Sequence, residues 1–133
     1  MRTRMSTRVN VSLAVALLAA IAMVPGSPAV AASNVHAMKV FVGYADGLPH
    51  RLSNKGRIIA DGKAAAILGT VSMDLTTLDL SHTQALKAGD EVTILGQEGE
   101  AKLDAQQIAR LAGTISYNIL CGISARVKRL YVE

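Results

Sequence analysis

The chain carries the segment RIIADGKAAAIL at residues 57–68, in which two apolar runs flank Asp61-Gly62. An Asp-Gly pair between two β-like runs is a strong hairpin signal, because these residues adopt the positive φ angles of a type I′ turn. We therefore predict two paired strands, at 57–60 and 63–68. The longer apolar run over 64–71 has little alternation, so we expect a strand that is buried on both faces.

Short strand-like runs continue on both sides of this hairpin, at residues 38–42, 75–80, 91–95, 115–121 and 127–132. Residues 43–56 are rich in glycine, proline and asparagine and form a loop, and 97–100 is a polar turn. One short helix is predicted over 105–112, with Asp104 as its N-cap and Gly113 as its stop. The pattern predicts a mainly β fold, a small barrel or sandwich of about six to eight strands.

Residues 1–31 have the order of parts that a secretory signal shows. Three arginines precede an apolar run over 11–24, helix-breaking residues follow, and Ala29-Val30-Ala31 supplies small residues at a cleavage site. We predict an apolar leader helix that is cleaved after Ala31, a connector over 32–37 and one domain over 38–133. The protein would then be exported, to the periplasm or the medium. The alternatives are a buried N-terminal helix, or a cytoplasmic chain whose leader reflects a gene rearrangement.

Loss of the leader would lower the formal charge from +4 to +1, because three of the fourteen basic residues and none of the ten acidic residues lie within it. With aromatic residues at 3% of the chain, no basic and aromatic surface remains, so nucleic-acid binding is not expected. The three histidines lack ligand spacing, and we predict no metal site. Cys121 is the one cysteine. We expect it to be buried as a small hydrophobe, the alternative being a disulfide between two chains.

Gly43-Tyr44-Ala45-Asp46-Gly47 is, on its residues alone, a glycine-flanked turn that holds one aromatic side chain. It is followed in order by further motifs, namely Leu52-Ser53-Asn54, Val71-Ser72-Met73-Asp74, Gly89-Asp90-Glu91-Val92 with Leu95-Gly96, Thr114-Ile115-Ser116-Tyr117 with Cys121, and Arg126-Val127 with Arg129. In this order and spacing, the stretch from about Met38 to Glu133 resembles the C-terminal β domain of the alanine racemases.

The resemblance implies the chemistry of a pyridoxal phosphate enzyme that interconverts L- and D-alanine and so supplies D-alanine for peptidoglycan. In that family an N-terminal (β/α)₈ barrel holds the cofactor on a lysine, and the cofactor ring acts as the electron sink. The enzymes are homodimers, in which one acid/base group is the barrel lysine and the other is a tyrosine from the partner subunit's C-terminal domain.

Four residues acquire roles through this resemblance. Tyr44 matches the catalytic tyrosine, and Met73 matches the residue whose backbone N–H binds the substrate carboxylate. Asp74 matches an acidic residue at the site entrance, and Tyr117 matches the tyrosine that reaches the cofactor phosphate. A core aromatic is the alternative interpretation of Tyr117.

The sequence also departs from the family pattern. Thr70 and His50 stand where arginines are usual, and Leu75 replaces a frequent glutamine. Lys39 lies inside the β domain and is no substitute for the cofactor lysine, so we expect the barrel and its cofactor site to be missing.

Three hypotheses follow for the function, and whether this chain is itself an enzyme stays open. In the first, the chain is a racemase domain that is inactive alone. In the second, it is a half-enzyme that complements a barrel-domain partner on another chain. In the third, it is an exported non-catalytic binding module. In each case an isolated β domain is expected to expose an apolar patch and to self-associate.

Overall fold

The computed structural model describes residues 7–10, 36–83 and 86–131. These residues form seven strands, two α-helices and one 3₁₀ turn. The strands are β1 (Thr7–Asn10), β2 (Ala37–Val40), β3 (Arg57–Ala60), β4 (Lys63–Leu68), β5 (Thr76–Asp79), β6 (Glu91–Glu98) and β7 (Ala101–Leu103). The helices are α1 (Ala105–Ala112) and α2 (Ser116–Gly122), and the 3₁₀ turn spans His50–Leu52.

The strands form an antiparallel arrangement in the order β1-β6-β3-β4-β5-β2, with β7 pairing separately with β6. The mainly β prediction is therefore confirmed. Within the part of the chain that the structure describes, the strand order starts at β1 and ends at β2 without closing on itself. Closure into a barrel or sandwich stays a prediction.

The β3–β4 hairpin is formed as predicted. Ala60 pairs with Lys63 across a two-residue turn, in which Asp61 has a φ of 52° and Gly62 a φ of 68°. The expectation that residues 64–71 are buried on both faces is wrong. Ala65 and Ile67 point into the core while Ala64 and Ala66 are exposed, and the strand ends at Leu68, which is half-buried. The outward positions hold small alanines, whose exposure costs little.

The turn that we predicted at 97–100 is confined to residues 99 and 100, the second half of that range. β6 continues to Glu98, and the reversal to β7 occurs at Gly99, whose φ is 58°. A polar composition marked this turn only approximately, because Gln97 and Glu98 are also ordinary residues for an exposed strand end.

Helix α1 begins and ends where its sequence signals place it. The Asp104 carboxylate accepts a hydrogen bond from the Gln107 N–H at 2.8 Å, and the Gln107 side chain accepts one from the Asp104 N–H at 2.9 Å. This reciprocal pair is a capping box, and Gly113 ends the helix with a φ of 66°.

The predicted strand over 115–121 is wrong, since Ser116–Gly122 form helix α2. The fold therefore has two short helices rather than one. An apolar run of seven residues does not distinguish a strand from a helical turn. Here Ile119 is buried, and Ile119 and Ile123 line one small apolar cavity at helical spacing. Cys121 falls on the outer side of α2 and is exposed, so its predicted burial is also wrong.

Both chain ends differ from the sequence-based picture. Thr7–Asn10, inside the predicted leader, form edge strand β1 against β6, while the apolar run 11–24 lies outside the described residues. No strand forms over 127–131, where one was predicted. Among the residues described, none of the helices has the length and apolar character needed to cross a membrane.

The core is formed by side chains of the strands, of the loops that follow β2 and β4, and of both helices. Its largest fully buried side chains come from β2, β3, β5 and β6, from the 3₁₀ turn and from the loops at 42 and 71, and they are Val40, Val42, Leu52, Ile58, Ile59, Val71, Thr76, Leu78 and Val92. Burial of residues from these loops fixes the loop backbones at the surface, where the candidate site is found.

Candidate functional site

The tyrosine loop, residues 43–47, emerges from the core directly after Val42. The side chain of Thr76 on β5, itself 1% exposed, donates a hydrogen bond from Oγ1 to the Val42 carbonyl at 2.7 Å. A buried hydroxyl requires a partner, and Val42 supplies it at the last residue before the loop. The start of the loop is thereby tied to the sheet.

Hydrogen bonds within the tyrosine loop give it a compact shape. The Asp46 carboxylate accepts from the Gly43 N–H at 3.0 Å, and the Gly43 carbonyl accepts from the N–H groups of Asp46 and Leu48. Gly47, whose φ is 110°, closes the turn by donating to the Tyr44 carbonyl at 3.2 Å. The turn leaves the Tyr44 side chain 50% exposed, and its ring makes an edge contact with the His50 ring at a centroid distance of 6.3 Å.

A second loop, residues 71–75, lies against the tyrosine loop. The Tyr44 N–H donates to the Ser72 carbonyl at 3.0 Å, and the Ala45 N–H donates to the Met73 carbonyl at 3.1 Å. Gly43 permits this approach, since a Cβ built there would overlap with the Ser72 and Met73 carbonyls. The structure thus brings Tyr44, Met73 and Asp74 into one site.

The 71–75 loop is held from its other side by Ser53 and Asn54, which belong to the Leu52-Ser53-Asn54 motif. Ser53 Oγ accepts from the Val71 N–H at 2.9 Å, and Asn54 Oδ1 accepts from the Gly69 N–H at 2.6 Å. Asn54 has a φ of 57°, which asparagine tolerates better than most residues. This motif therefore positions the second loop, a role that the sequence alone did not reveal.

The 71–75 loop offers polar groups to its surroundings. The Ser72 hydroxyl both donates to the Leu75 carbonyl and accepts from the Leu75 N–H, which closes a tight turn. Within the residues that the structure describes, no acceptor is bonded to the Met73 backbone N–H. Met73 is 51% exposed, so this part of the turn lies at the surface.

The third support of the tyrosine loop comes from the end of α2. A Cβ on Gly47 would lie 2.5 Å from the Gly122 carbonyl oxygen, and the Ser124 N–H donates to the Asp46 carbonyl at 3.2 Å. An open groove of about 440 Å³ runs between this loop and the two helices. Its lining includes Tyr44, Arg51 and Asn118.

Tyr117 lies on α2 and is 74% exposed, so it is not a core aromatic. Although its neighbours Asn118 and Ile119 line the groove beside Tyr44, Tyr117 itself does not. The structure therefore places Tyr117 next to the site without joining it to the other three predicted residues.

The acidic residues of both loops meet at Arg126, to which the sequence analysis gave a place in a motif but no role. Arg126 Nη2 is 2.7 Å from Asp74 Oδ1, and Arg126 Nε is 3.4 Å from Asp46 Oδ1. The hydrogen bond to Asp74, and then the charge of Asp46, raise the pKa of the Arg126 guanidinium above its ordinary value. No local sequence signal marks this contact, because 80 positions separate Asp46 from Arg126.

The groove lining does not match the set of groups that a pyridoxal phosphate site needs. Of the described residues that line the groove, Arg51 is the only basic one, and none is a lysine. No group of three or more His, Cys, Asp or Glu side chains among the described residues is arranged to hold a metal ion.

The fold and the site define a small antiparallel β domain that presents a half-exposed tyrosine on a surface loop. The chain belongs to the alanine racemase C-terminal domain family, whose model matches residues 25–131.

Individual alanine racemases match the same region. That of Clostridium perfringens is 47% identical over 90 residues, which cover 68% of this chain and 23% of that enzyme. Among solved structures, alanine racemase from the D-cycloserine-producing Streptomyces lavendulae has a TM-score of 0.77 and 33% identity, over 95% of this chain and 33% of that one. The Bartonella henselae enzyme, solved with covalently bound pyridoxal phosphate, has a TM-score of 0.66 and 31% identity, over 72% of this chain and 27% of its own. The chain thus spans about a quarter to a third of the relatives it matches.

Proposed function

We propose that this chain is the tyrosine-bearing domain of a pyridoxal phosphate-dependent alanine racemase and that Tyr44 is its acid/base. The observation that carries the proposal is the direct backbone bonding of the tyrosine loop to the 71–75 loop. This bonding holds the backbone of Tyr44, a half-exposed residue, against the loop that carries the Met73 N–H. A proton-transfer group and a carboxylate donor held at a fixed separation suit a small amino acid bound through its carboxylate.

Each residue has a distinct task in this proposal. The Tyr44 hydroxyl gives or takes the proton at the α-carbon of alanine, and the Met73 N–H donates to the substrate carboxylate. Asp74 lies at the entrance, and exposed Tyr117 faces the phosphate of the cofactor. The cofactor, when bound to a lysine on a barrel domain, supplies the electron sink that makes the α-proton removable.

We propose further that residues 1–133 do not racemise alanine unaided but complement a barrel. The test is co-expression of the chain with the cofactor-binding barrel of a relative, in a bacterium that needs added D-alanine. Growth without D-alanine should require both parts. Racemisation by the purified chain with pyridoxal phosphate would refute the claim that it is inactive alone, and failure of the pair to rescue growth would refute complementation.

We propose that the protein is exported, because basic, apolar and small residues follow one another in 1–31 in the order of a secretory signal.

Cleavage after Ala31 would also remove β1 and uncover the β6 edge that it pairs with. We therefore expect residues 32–133 to be about 2 kcal/mol less stable than the full chain in urea unfolding, since several strand-pairing hydrogen bonds are lost. Mass spectrometry of the periplasmic protein locates the cut. A chain that keeps Met1 would contradict export by cleavage, and equal stability of the two forms would contradict a structural role for β1.

The exposed apolar side chains near the C-terminal end lead us to propose a protein partner, either a second copy or a barrel domain. Ile115, Tyr117, Leu130 and Tyr131 are each at least 65% exposed. We expect sedimentation velocity to show a larger species as concentration rises, and Tyr117→Ser with Leu130→Ser to shift the chain toward monomer. Lys128→Ser is the matched control, because Lys128 is an exposed polar neighbour. A monomer at all concentrations would contradict self-association.

A further inference from the structure

Arg126 occupies a position that none of the proposed catalytic roles explains. It follows α2 in a short irregular segment, with its N–H bonded to Ser124 Oγ at 3.2 Å and its side chain 53% exposed. From there the guanidinium reaches the acidic residue of the tyrosine loop and the acidic residue of the 71–75 loop. One side chain thus touches both loops that carry the proposed chemistry.

The two carboxylates that Arg126 contacts differ in burial and in their distance from the guanidinium. Asp46 is the more enclosed partner, with 17% of its side chain exposed, and its other carboxylate oxygen already accepts from the Gly43 N–H. Asp74 is 43% exposed and makes the shorter contact, at 2.7 Å. Asp46 lies two residues after Tyr44, and Asp74 lies one residue after Met73. A change in the position of the guanidinium would therefore be transmitted to the proton-transfer group and to the carboxylate donor together.

We propose that Arg126 is a positioning residue, which clamps the tyrosine loop to the 71–75 loop and so fixes Tyr44 relative to Met73. This proposal rests on the function proposed above, since it assigns Arg126 to the same site. Arginine suits the task because its planar guanidinium presents several N–H donors in fixed directions and can serve two carboxylates at once. Lysine, a compact point charge on a flexible stem, would hold the two carboxylates less well.

The first test follows amide hydrogen exchange at single residues in the full chain. The Tyr44 and Ala45 N–H groups bridge the two loops, whereas Ile59 N–H reports on the core. In Arg126→Met we expect the Tyr44 and Ala45 exchange rates to rise about three- to tenfold, with Ile59 unchanged, because exposed ion pairs are individually weak and only the loop contact opens. Arg126→Lys should give an intermediate rate, and raised salt should accelerate exchange in the unmodified chain.

Lys128→Met is the matched control, because it removes one positive charge from an exposed site in the same segment. Its exchange rates should equal those of the unmodified chain. If Arg126→Met matches this control at Tyr44 and Ala45, the clamp is refuted. A rise at Ile59 as large as that at Tyr44 would also refute it, since the effect would then be general destabilisation.

The second test uses the co-expressed racemase pair. Arg126→Met should lower kcat more than it changes KM, with Arg126→Lys partly restoring kcat, because a misplaced Tyr44 affects proton transfer more than binding. An unchanged kcat would overturn the positioning role. If the unmodified chain gives no activity with a barrel, the proposed function fails, while the exchange experiment still decides whether Arg126 clamps the two loops.

Discussion

Gly43→Ala is expected to separate the tyrosine loop from the 71–75 loop and to lower the free energy of unfolding by about 3 kcal/mol. A Cβ at this position would overlap with two backbone carbonyls, those of Ser72 and Met73, which have no side-chain freedom with which to retreat. Relief requires one loop to move. The Tyr44 and Ala45 hydrogen bonds to the 71–75 loop would then be lost. Urea unfolding gives the stability, and amide exchange at Tyr44 and Ala45 reports the loop contact.

Gly122→Ala provides the control for this substitution. Gly122 is the last residue of α2, and a Cβ there would meet nothing within 4 Å. Alanine favours helix over glycine, so this variant should equal or exceed the unmodified chain in stability by up to about 1 kcal/mol. If Gly43→Ala were as stable as Gly122→Ala and kept slow exchange at Tyr44, the close approach of the two loops would not occur in solution.

Tyr44→Phe should reduce racemisation by the co-expressed pair by about 10²–10⁴-fold, the range for loss of a general acid or base. Phenylalanine keeps the ring and its edge contact with His50, and removes only the hydroxyl. Among the residues described, none is hydrogen-bonded to that hydroxyl, so we expect the stability to change by no more than about 0.5 kcal/mol. The measurement is the rate of L- to D-alanine conversion in the purified complex, beside urea unfolding of the chain alone.

The matched control is Tyr131→Phe, which removes a hydroxyl from a tyrosine that is 90% exposed and keeps the ring that belongs to the proposed partner surface. This variant should be as active as the unmodified chain. Should Tyr44→Phe instead support the same rate as Tyr131→Phe, Tyr44 is not the acid/base. A role as a binding module would then account better for the exposed surface.

Local chemistry made the β3–β4 hairpin and helix α1 predictable. Asp61-Gly62 and the Asp104/Gln107 capping box satisfy backbone requirements within a few residues, so neighbouring sequence suffices to specify them. Helix α2 could not be predicted in the same way. Its residues suit either a strand or a helix, and the packing of Ile119 against the rest of the core favours the helix.

The candidate site likewise combines features that the sequence predicted with contacts that only the structure shows. The order of motifs in the sequence predicted roles for Tyr44 and Met73, and it indicated the family that the comparison confirms. The sequence did not show that Gly43 must be small, that Ser53 and Asn54 hold the second loop, or that Arg126 joins Asp46 to Asp74. These contacts link positions from 15 to 80 residues apart, and no local pattern encodes which distant segments will meet.

The sequence by itself determined the β-rich character of this protein, its hairpin, its first helix and the identity of its tyrosine loop. Those features depend on backbone preferences and on motifs that are complete within a short stretch of chain. Only the tertiary structure decided how Tyr44 is held, because two separate segments converge on its loop: the 71–75 loop and residues 122–126 at the end of α2. Convergence of this kind depends on the packing of the whole core, which places distant backbone groups within hydrogen-bonding distance.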